Sequence, residues 1–402
     1  MFLQSSVYLL LWYGSLFICF FIVILLVGLF VIHLSVHLTE GKTSGINLEV
    51  SVTVQVVLTL LAAVIATFDL VGNVIVIYVT CSRTPMRTTT DLLIANLAAA
   101  DLMMIPVIVY LVKFFYYQFD WFGGVMGQVT CRLAISLQAL SVVSSVYSIL
   151  AISVDRCCAI FFPLKKVFNK TCIKRLILVI WAIAVAFAIP QFMVATVKTE
   201  GKKHRCYPSW KNSGMSASHY TLVFVAFSYI VPLATIATLY LVTTARLWKS
   251  AAPGHHSELA IKRIRATRRK PTKMLIGIVT VFALCWFPLQ AAEVLKRFAY
   301  DVYWSHIPFE VNVVFPWFGI ANSAINPFIY PLFCEKYRYE FRRILCFYSL
   351  RRGKNRAKSG LTVMTGLPKF NGDTCKPDAI IAKYKENGCS LRNIRTTYIT
   401  SI

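Results

Sequence analysis

Seven polar side chains stand where the sequence is otherwise apolar: Asp69, Asn73, Asp101, Ser145, Asn322, Ser323 and Asn326. A carboxylate or amide taken out of water must be compensated by a hydrogen bond or an opposite charge. The serines and amides can join helices, at about 0.6 kcal/mol per bond. Asp101 asks for more, because a lone carboxylate at mid-depth needs partners or a cation. Asp69 lies one helical turn before Asn73, on the same face, and no role follows for it from spacing alone. Pro190, Pro232, Pro288 and Pro327 also fall inside apolar runs. Each frees a backbone carbonyl and offers a hinge, although Pro190 reads as a static kink. None of this is catalytic chemistry. Ser, His and Cys are scattered, and neither a phosphate-binding glycine loop nor an HExxH pair occurs. No CxxC or Cys/His cluster has metal-ligand spacing. The residues therefore point to binding and conformational change, not to an enzyme.

The elements that carry them are membrane spans. The 402-residue chain is 57% hydrophobic and 15% charged, too few charges to coat a soluble protein of this size. Its mean hydropathy is positive. Runs long enough to cross a bilayer lie at about 53–80, 90–112, 128–160, 174–198, 219–248, 273–298 and 307–333. The expected fold is all-α, a seven-transmembrane helix bundle over 53–333. Basic residues follow the first, third, fifth and seventh runs: Arg83 and Arg87; Lys165, Lys166, Lys170, Lys174 and Arg175; Lys249 through Lys273; and Arg338 through Arg352. By the positive-inside rule these loops are cytoplasmic and the first span starts outside. The second outer loop, with Lys202, Lys203, Arg205 and Lys211, is basic too, so the rule holds as a bias. The same rule accounts for the net charge of +25, which leaves no need for a nucleic-acid partner. Of the twelve cysteines, only Cys131 and Cys206 fall at outer positions, where a disulfide persists.

The ends are of different kinds. Residues 1–37 contain a further apolar run, 7–32, without a basic start. It reads as a signal-like segment or as an extra span. Residues 38–52 form a short extracellular segment. Beyond the seventh run, Phe333, Tyr337, Phe341, Ile344 and Leu345 recur at helical spacing among basic residues. Residues 334–347 thus suit an amphipathic helix on the cytoplasmic membrane surface, touching lipid, with Cys346 as a palmitoylation site. The tail, 348–402, is polar and expected to be disordered. Its final Thr400-Ser401-Ile402 fits a PDZ ligand, and its Ser and Thr residues suit receptor kinases and arrestin. Asn169-Lys170-Thr171 is a sequon on a cytoplasmic loop, where no glycan is expected.

Ordered motifs over roughly residues 53–347 resemble the rhodopsin-like (class A) G-protein-coupled receptor family. Gly72-Asn73-Val74 is similar to the family's first-helix signature, and Asn96-Leu97-Ala98-Ala99-Ala100-Asp101 to its second. Cys131 opens the third span and Asp155-Arg156-Cys157 closes it. Trp181 matches the fourth, Pro232 and Tyr240 the fifth, and Phe282 with Cys285-Trp286-Phe287-Pro288 the sixth. Asn326-Pro327-Phe328-Ile329-Tyr330 matches the seventh. Each motif alone is weak, but seven in order are specific. The 25 residues from Cys131 to Arg156 span about 37 Å of helix, enough to cross the membrane.

The resemblance implies a Cys131–Cys206 disulfide. It also implies a sodium site of Asp101, Ser145, Asn322, Ser323 and Asn326, with sodium favouring the inactive state. Trp286 resembles the side chain that senses ligand, with Val146, Pro232 and Phe282 as the packing switch below. Tyr240 and Tyr330 resemble the pair that closes around Arg156, beside Asp155, when the sixth helix swings out past its Pro288 and the seventh bends at Pro327. The implied partner is a heterotrimeric G protein at the plasma membrane.

Three departures stand out. Cys157 replaces the usual tyrosine. Arg268, Arg269 and Lys270 begin the sixth span with no acid to hold Arg156, which predicts raised basal activity. The first outer-loop tryptophan, Trp121, is followed at once by Phe122-Gly123, one residue short of the usual spacing.

Gln138 stands where amine receptors carry aspartate, and Ile320 where opsins carry the retinal lysine. The pattern resembles neuropeptide receptors, with Gln138, Gln290, Asn312 and Trp286 available to a peptide backbone or terminal amide. Glu293, Asp301 and Glu310 could meet its basic residues or be solvated rim charges. A lipid, small-molecule or sensory ligand is the alternative within the family. A transporter or channel is the alternative outside it, although no internal repeat is found.

Overall fold

The computed structural model describes residues 52–82, 87–116, 121–162, 167–201, 203–211, 213–249, 258–307 and 309–344. The chain is almost wholly helical over these ranges. Helices are α1 (Val52–Ser82), α2 (Thr89–Leu102), α3 (Met104–Tyr116), α4 (Gly124–Phe161) and α5 (Lys170–Val194). Two strands follow, β1 (Ala195–Glu200) and β2 (Lys203–Pro208). Then come α6 (Ala217–Val225), a π segment (Ala226–Ile230), α7 (Val231–Lys249), α8 (Glu258–Phe298), α9 (Tyr300–His306) and α10 (Phe309–Phe333). Residues 335–344 are helical again. Among the described residues, six stretches are long and apolar enough to cross a membrane: Thr59–Ser82, Thr89–Lys113, Gly124–Phe161, Lys170–Val194, Ala217–Ala245 and Met274–Phe298. The protein is a multi-pass membrane protein by these spans.

Local chemistry sets the helix ends. Thr88 caps α2: its hydroxyl accepts from the Asp91 amide, and the Asp91 carboxylate accepts from the Thr88 amide. Asn169 caps α5, its Oδ1 accepting from the Cys172 amide at 2.7 Å. The sequon asparagine is thus a helix cap. Arg338 donates to the carbonyls of Pro331 and Leu332, two of the acceptors left open where α10 ends.

The structure differs from the sequence expectation in four places. The second apolar run is not one helix, because the ladder is interrupted at Met103, three residues before Pro106. The fourth span ends at Val194, not at 198, where the chain turns into the β1–β2 hairpin. The fifth carries one π turn immediately before Pro232, which re-registers the helix where the proline withholds a donor. The sixth helix begins at Glu258, well ahead of the apolar run, although the side chains of Arg268, Arg269 and Lys270 lie outside the described residues.

Helix α4 is the central post. It packs on α2, α3, α5, α7 and α8 and is the most enclosed of the spans, whereas α5 and α7 keep much apolar surface outward. Leu178, Val179, Ile189, Met193 and Leu241 are exposed, as side chains facing lipid should be. Helix α10 packs on α1, α2 and α8. Two glycines allow close approach. A Cβ at Gly72 would lie 2.7 Å from Pro327 Cβ, and one at Gly319 would lie 3.0 Å from the Trp286 ring.

Candidate functional site

The predicted polar side chains gather between α1, α2, α4 and α10. Ser145 Oγ donates to Asp101 Oδ1 at 3.0 Å, and Asn326 Nδ2 donates to Asp101 Oδ2 at 2.8 Å. Asn73 Nδ2 donates to Asp69 Oδ1 at 2.6 Å and to the Ser323 carbonyl at 3.2 Å. Ser323 Oγ donates to the Ile320 carbonyl at 2.7 Å. Asp69, Asn73, Asp101, Ser145, Asn322, Ser323 and Asn326 are all buried. Asn322 and Asn326 each keep a buried side-chain oxygen without a donor. The cluster is therefore rich in acceptors, as a cation shell would be. Nearer the inner end of α2, Asn96 donates to Ser148 in α4 and accepts from Trp181 in α5. One amide thus ties three helices.

A column of aromatic side chains rises beside this cluster. Trp286 and Phe282 lie 6.3 Å apart, and Phe282 stacks on Tyr229 at 6.4 Å. Val146, Phe282 and Trp286 are buried, as is Pro232. Tyr229, inside the π segment, donates to the Ala283 carbonyl at 2.7 Å. That bond joins the fifth span to the sixth next to Leu284, whose carbonyl Pro288 leaves without its helical donor, and the sequence analysis did not single out Tyr229. Its only signal was its place three residues before Pro232.

At the opposite end from Cys131, Arg156 is held from two sides. It pairs with Asp155 at 2.7 Å and donates to the Thr90 hydroxyl. Thr90 in turn donates to Asp155 at 2.8 Å, and Thr89 donates to the same carboxylate at 3.2 Å. Tyr240 is not at Arg156; its hydroxyl lies 3.4 Å from Ser153. Tyr330 is also elsewhere, its ring 5.5 Å from that of Tyr337 and its buried hydroxyl without a partner. The tyrosine pair is apart in this structure.

The outer end is roofed by the hairpin. Cys131 and Cys206 form a disulfide that ties β2 to α4. Gln128 clamps the other strand, donating to the Ala195 carbonyl and accepting from the Val197 amide. Trp121 packs with Cys131, Ala134, Ile135, Ala195 and Cys206, donates to the Gly127 carbonyl, and its amide donates to the His204 carbonyl. The shortened Trp121-Phe122-Gly123 turn thus still seats its tryptophan against the disulfide.

Of the ligand candidates, Gln290 is buried and Gln138 half-buried. Glu293 pairs with Lys296 at 3.0 Å, Lys296 sits over the Tyr303 ring, and Tyr303 donates to Asn312 at 2.7 Å. Glu293 and Asn312 are therefore linked, through two residues that the sequence reading missed. The Glu293–Lys296 spacing of three on a helix was the available signal. Burial and the Glu293 charge push the Tyr303 hydroxyl up to about 12. Asp301 is exposed, whereas Glu310, Cys346 and Thr400-Ser401-Ile402 lie outside the described side chains, as do residues 1–51.

The seven transmembrane receptor (rhodopsin family) profile matches residues 72–330. The chain is 30% identical over 344 residues to the RYamide receptor of Drosophila melanogaster, covering 81% of this chain and 72% of that protein. It is 31% identical to the human substance-K receptor, covering 67% and 68%, and 30% identical to the Bombyx mori allatostatin-A receptor, covering 77% and 85%. The motifs lie in order on spans that bring Asp101, Asn326, Trp286 and Arg156 to the stations described, and the chain belongs to the rhodopsin family of seven-transmembrane receptors.

Proposed function

We propose that the protein is a neuropeptide receptor of the plasma membrane that activates a heterotrimeric G protein. The observation that carries this reading is that the similar proteins are named as receptors for peptides. In this reading α10 is the seventh span, and the C-terminus is cytoplasmic. The helix after α10 lies on the inner membrane surface with Cys346 palmitoylated. The tail meets kinases, arrestin and, through Thr400-Ser401-Ile402, a PDZ protein.

The ligand enters between the hairpin and the Glu293–Lys296–Tyr303–Asn312 chain, with Gln138 and Gln290 deeper. A peptide with a basic side chain competes with Lys296 for Glu293, and its amide groups meet the buried glutamine. Agonist binding acts only by favouring one state over the other. The favoured state is the one in which α8 has moved outward, releasing the Trp286–Phe282–Tyr229 column, and Arg156 has left Asp155 and Thr90 for Tyr240 and Tyr330.

The acceptor-rich cluster fits a sodium ion. Asp101, Ser145, Asn322, Ser323 and Asn326 would hold it, and the orphan oxygens of Asn322 and Asn326 support the fit. When bound, sodium supplies the charge that offsets Asp101. These side chains come from three helices, so a shell that needs all of them favours the packed, inactive arrangement.

The test is a screen of amidated neuropeptides against the full-length receptor with a promiscuous G-protein readout. A peptide agonist whose potency falls on Glu293→Lys is expected. Activation by small molecules or lipids alone, with every peptide silent, overturns the reading.

A further inference from the structure

Helix α9 has seven residues, too few to cross a membrane, yet it exposes two aromatic rings. Tyr300 is 63% and Trp304 40% exposed, whereas Tyr303 between them is 1% exposed. Residues four apart share a helix face, so Tyr300 and Trp304 form one flank, their rings edge to face at 6.2 Å. Asp301 and Ser305 lie two positions either side of Tyr303, roughly 200° round the helix, and both are exposed. Helix α9 thus has a buried side, a polar side turned away from the bundle, and an aromatic side between the two.

That aromatic side follows directly on a surface that faces lipid. Ile276, Leu284, Phe287, Leu295 and Phe298 are exposed on α8, at spacings that place them in a stripe about 100° wide. Phe282, Cys285, Trp286 and Leu289 are buried on the opposite side. The stripe therefore looks away from the bundle along the span Met274–Phe298. Helix α9 starts two residues past the end of that span, at the depth where hydrocarbon gives way to headgroups. Arg297, exposed beside Phe298, suits the same depth, where its stem meets apolar surface and its charge meets water or phosphate. Tyrosine and tryptophan favour this layer because it satisfies an apolar ring and a polar O–H or N–H together. Left in water, the same rings would be unfavourable apolar surface.

We infer that α9 is an interfacial anchor, with Tyr300 and Trp304 seated in the headgroup layer of the bilayer at the hairpin end of the bundle. The anchor reaches the interior through one contact. Trp304 meets Tyr303 edge to face at 5.1 Å. Tyr303 donates to Asn312 at 2.7 Å, and Lys296 sits over its ring. Lipid at the Tyr300–Trp304 flank thereby holds the helix that carries Tyr303, whichever ligand the receptor takes.

The test is tryptophan quenching in the purified full-length receptor, reconstituted in phosphatidylcholine nanodiscs. The emission that Trp304→Phe removes is assigned to Trp304. Phosphatidylcholine brominated in the upper part of its acyl chains should quench that emission about twofold or more, and aqueous iodide should quench it less. Quenching by iodide alone means that the flank faces water and overturns the inference. Protection from both quenchers means that protein covers it, either residues 1–51 or a second copy, and overturns it too. Tyr300→Ser leaves the Trp304–Tyr303 contact in place and should speed amide exchange in α9 in nanodiscs; unchanged exchange overturns the anchoring role. If a variant fails to fold, the wild type decides. A phosphatidylcholine carrying a diazirine near its headgroup should label the 299–306 peptide, and an unlabelled peptide overturns the inference.

Discussion

Thr90→Val should raise ligand-free signalling. Thr90 makes two hydrogen bonds at the inner end of the bundle, accepting from Arg156 and donating to Asp155 at 2.8 Å. Valine keeps the branched shape and removes both. Hydrogen bonds to charged groups contribute about 1.5–3 kcal/mol each in favourable settings. Arg156 is 30% exposed here and Asp155 9%, so water takes over much of the loss and each bond counts for about 0.8–1 kcal/mol, below that range. A combined bias of about 1.5–2 kcal/mol toward the packed state is then removed, which is roughly a ten- to thirtyfold shift in the two-state ratio. A receptor active about 1% of the time without ligand becomes active about 10–20% of the time. Thr90→Ser keeps the hydroxyl and should stay at the wild-type level. The assay is G-protein dissociation measured with a panel of biosensors, normalised to surface receptor. Basal signal in Thr90→Val within twofold of wild type, at equal surface level and across the panel, would refute the assignment of Thr90 as part of the hold on Arg156.

Other outcomes follow from the same geometry. Gly72→Ala drives a methyl to 2.7 Å from Pro327 and should destabilise by about 1–3 kcal/mol, read as a lower unfolding midpoint of the purified receptor. Replacing Cys131 and Cys206 together by alanine opens a link across 75 residues. The expected loss is about 4 kcal/mol, seen as reduced surface expression and thermal stability. Glu293→Lys should weaken a basic peptide agonist by about tenfold or more, since it leaves Lys296 unpaired and repels the ligand. Tyr303→Phe removes the bond to Asn312, worth about 1 kcal/mol, and should speed amide exchange in α9 without changing expression.

The spans were legible because lipid imposes length and apolarity on any helix that crosses it. The buried polar set was legible for the complementary reason, that each of Asp101, Asn73 and Asn326 contradicts its surroundings. What escaped was of shorter range or longer reach. Thr196 and Val197 continue an apolar run, so the β1–β2 hairpin was hidden in an apparent fourth span. The interruption at Met103 had Pro106 as a signal, but its position relative to that proline is set by packing. Thr89 and Thr90 look like ordinary helix-start residues, and their contact with Asp155 crosses more than sixty residues. Raised basal activity was expected from Arg268, Arg269 and Lys270, yet Asp155 and Thr90 give Arg156 partners on its own side, which weakens that expectation.

The contact of Gly72 with Pro327 is made of carbon atoms alone, so it has no preferred direction. A few ångströms away, Asn73 reaches the Ser323 carbonyl through a directed bond. The first behaves as a bearing and the second as a tether. A rotation of α10 against α1 would slide past the first contact and would have to break the second. Helix α1 thereby meets α10 through one contact that can slip and one that cannot.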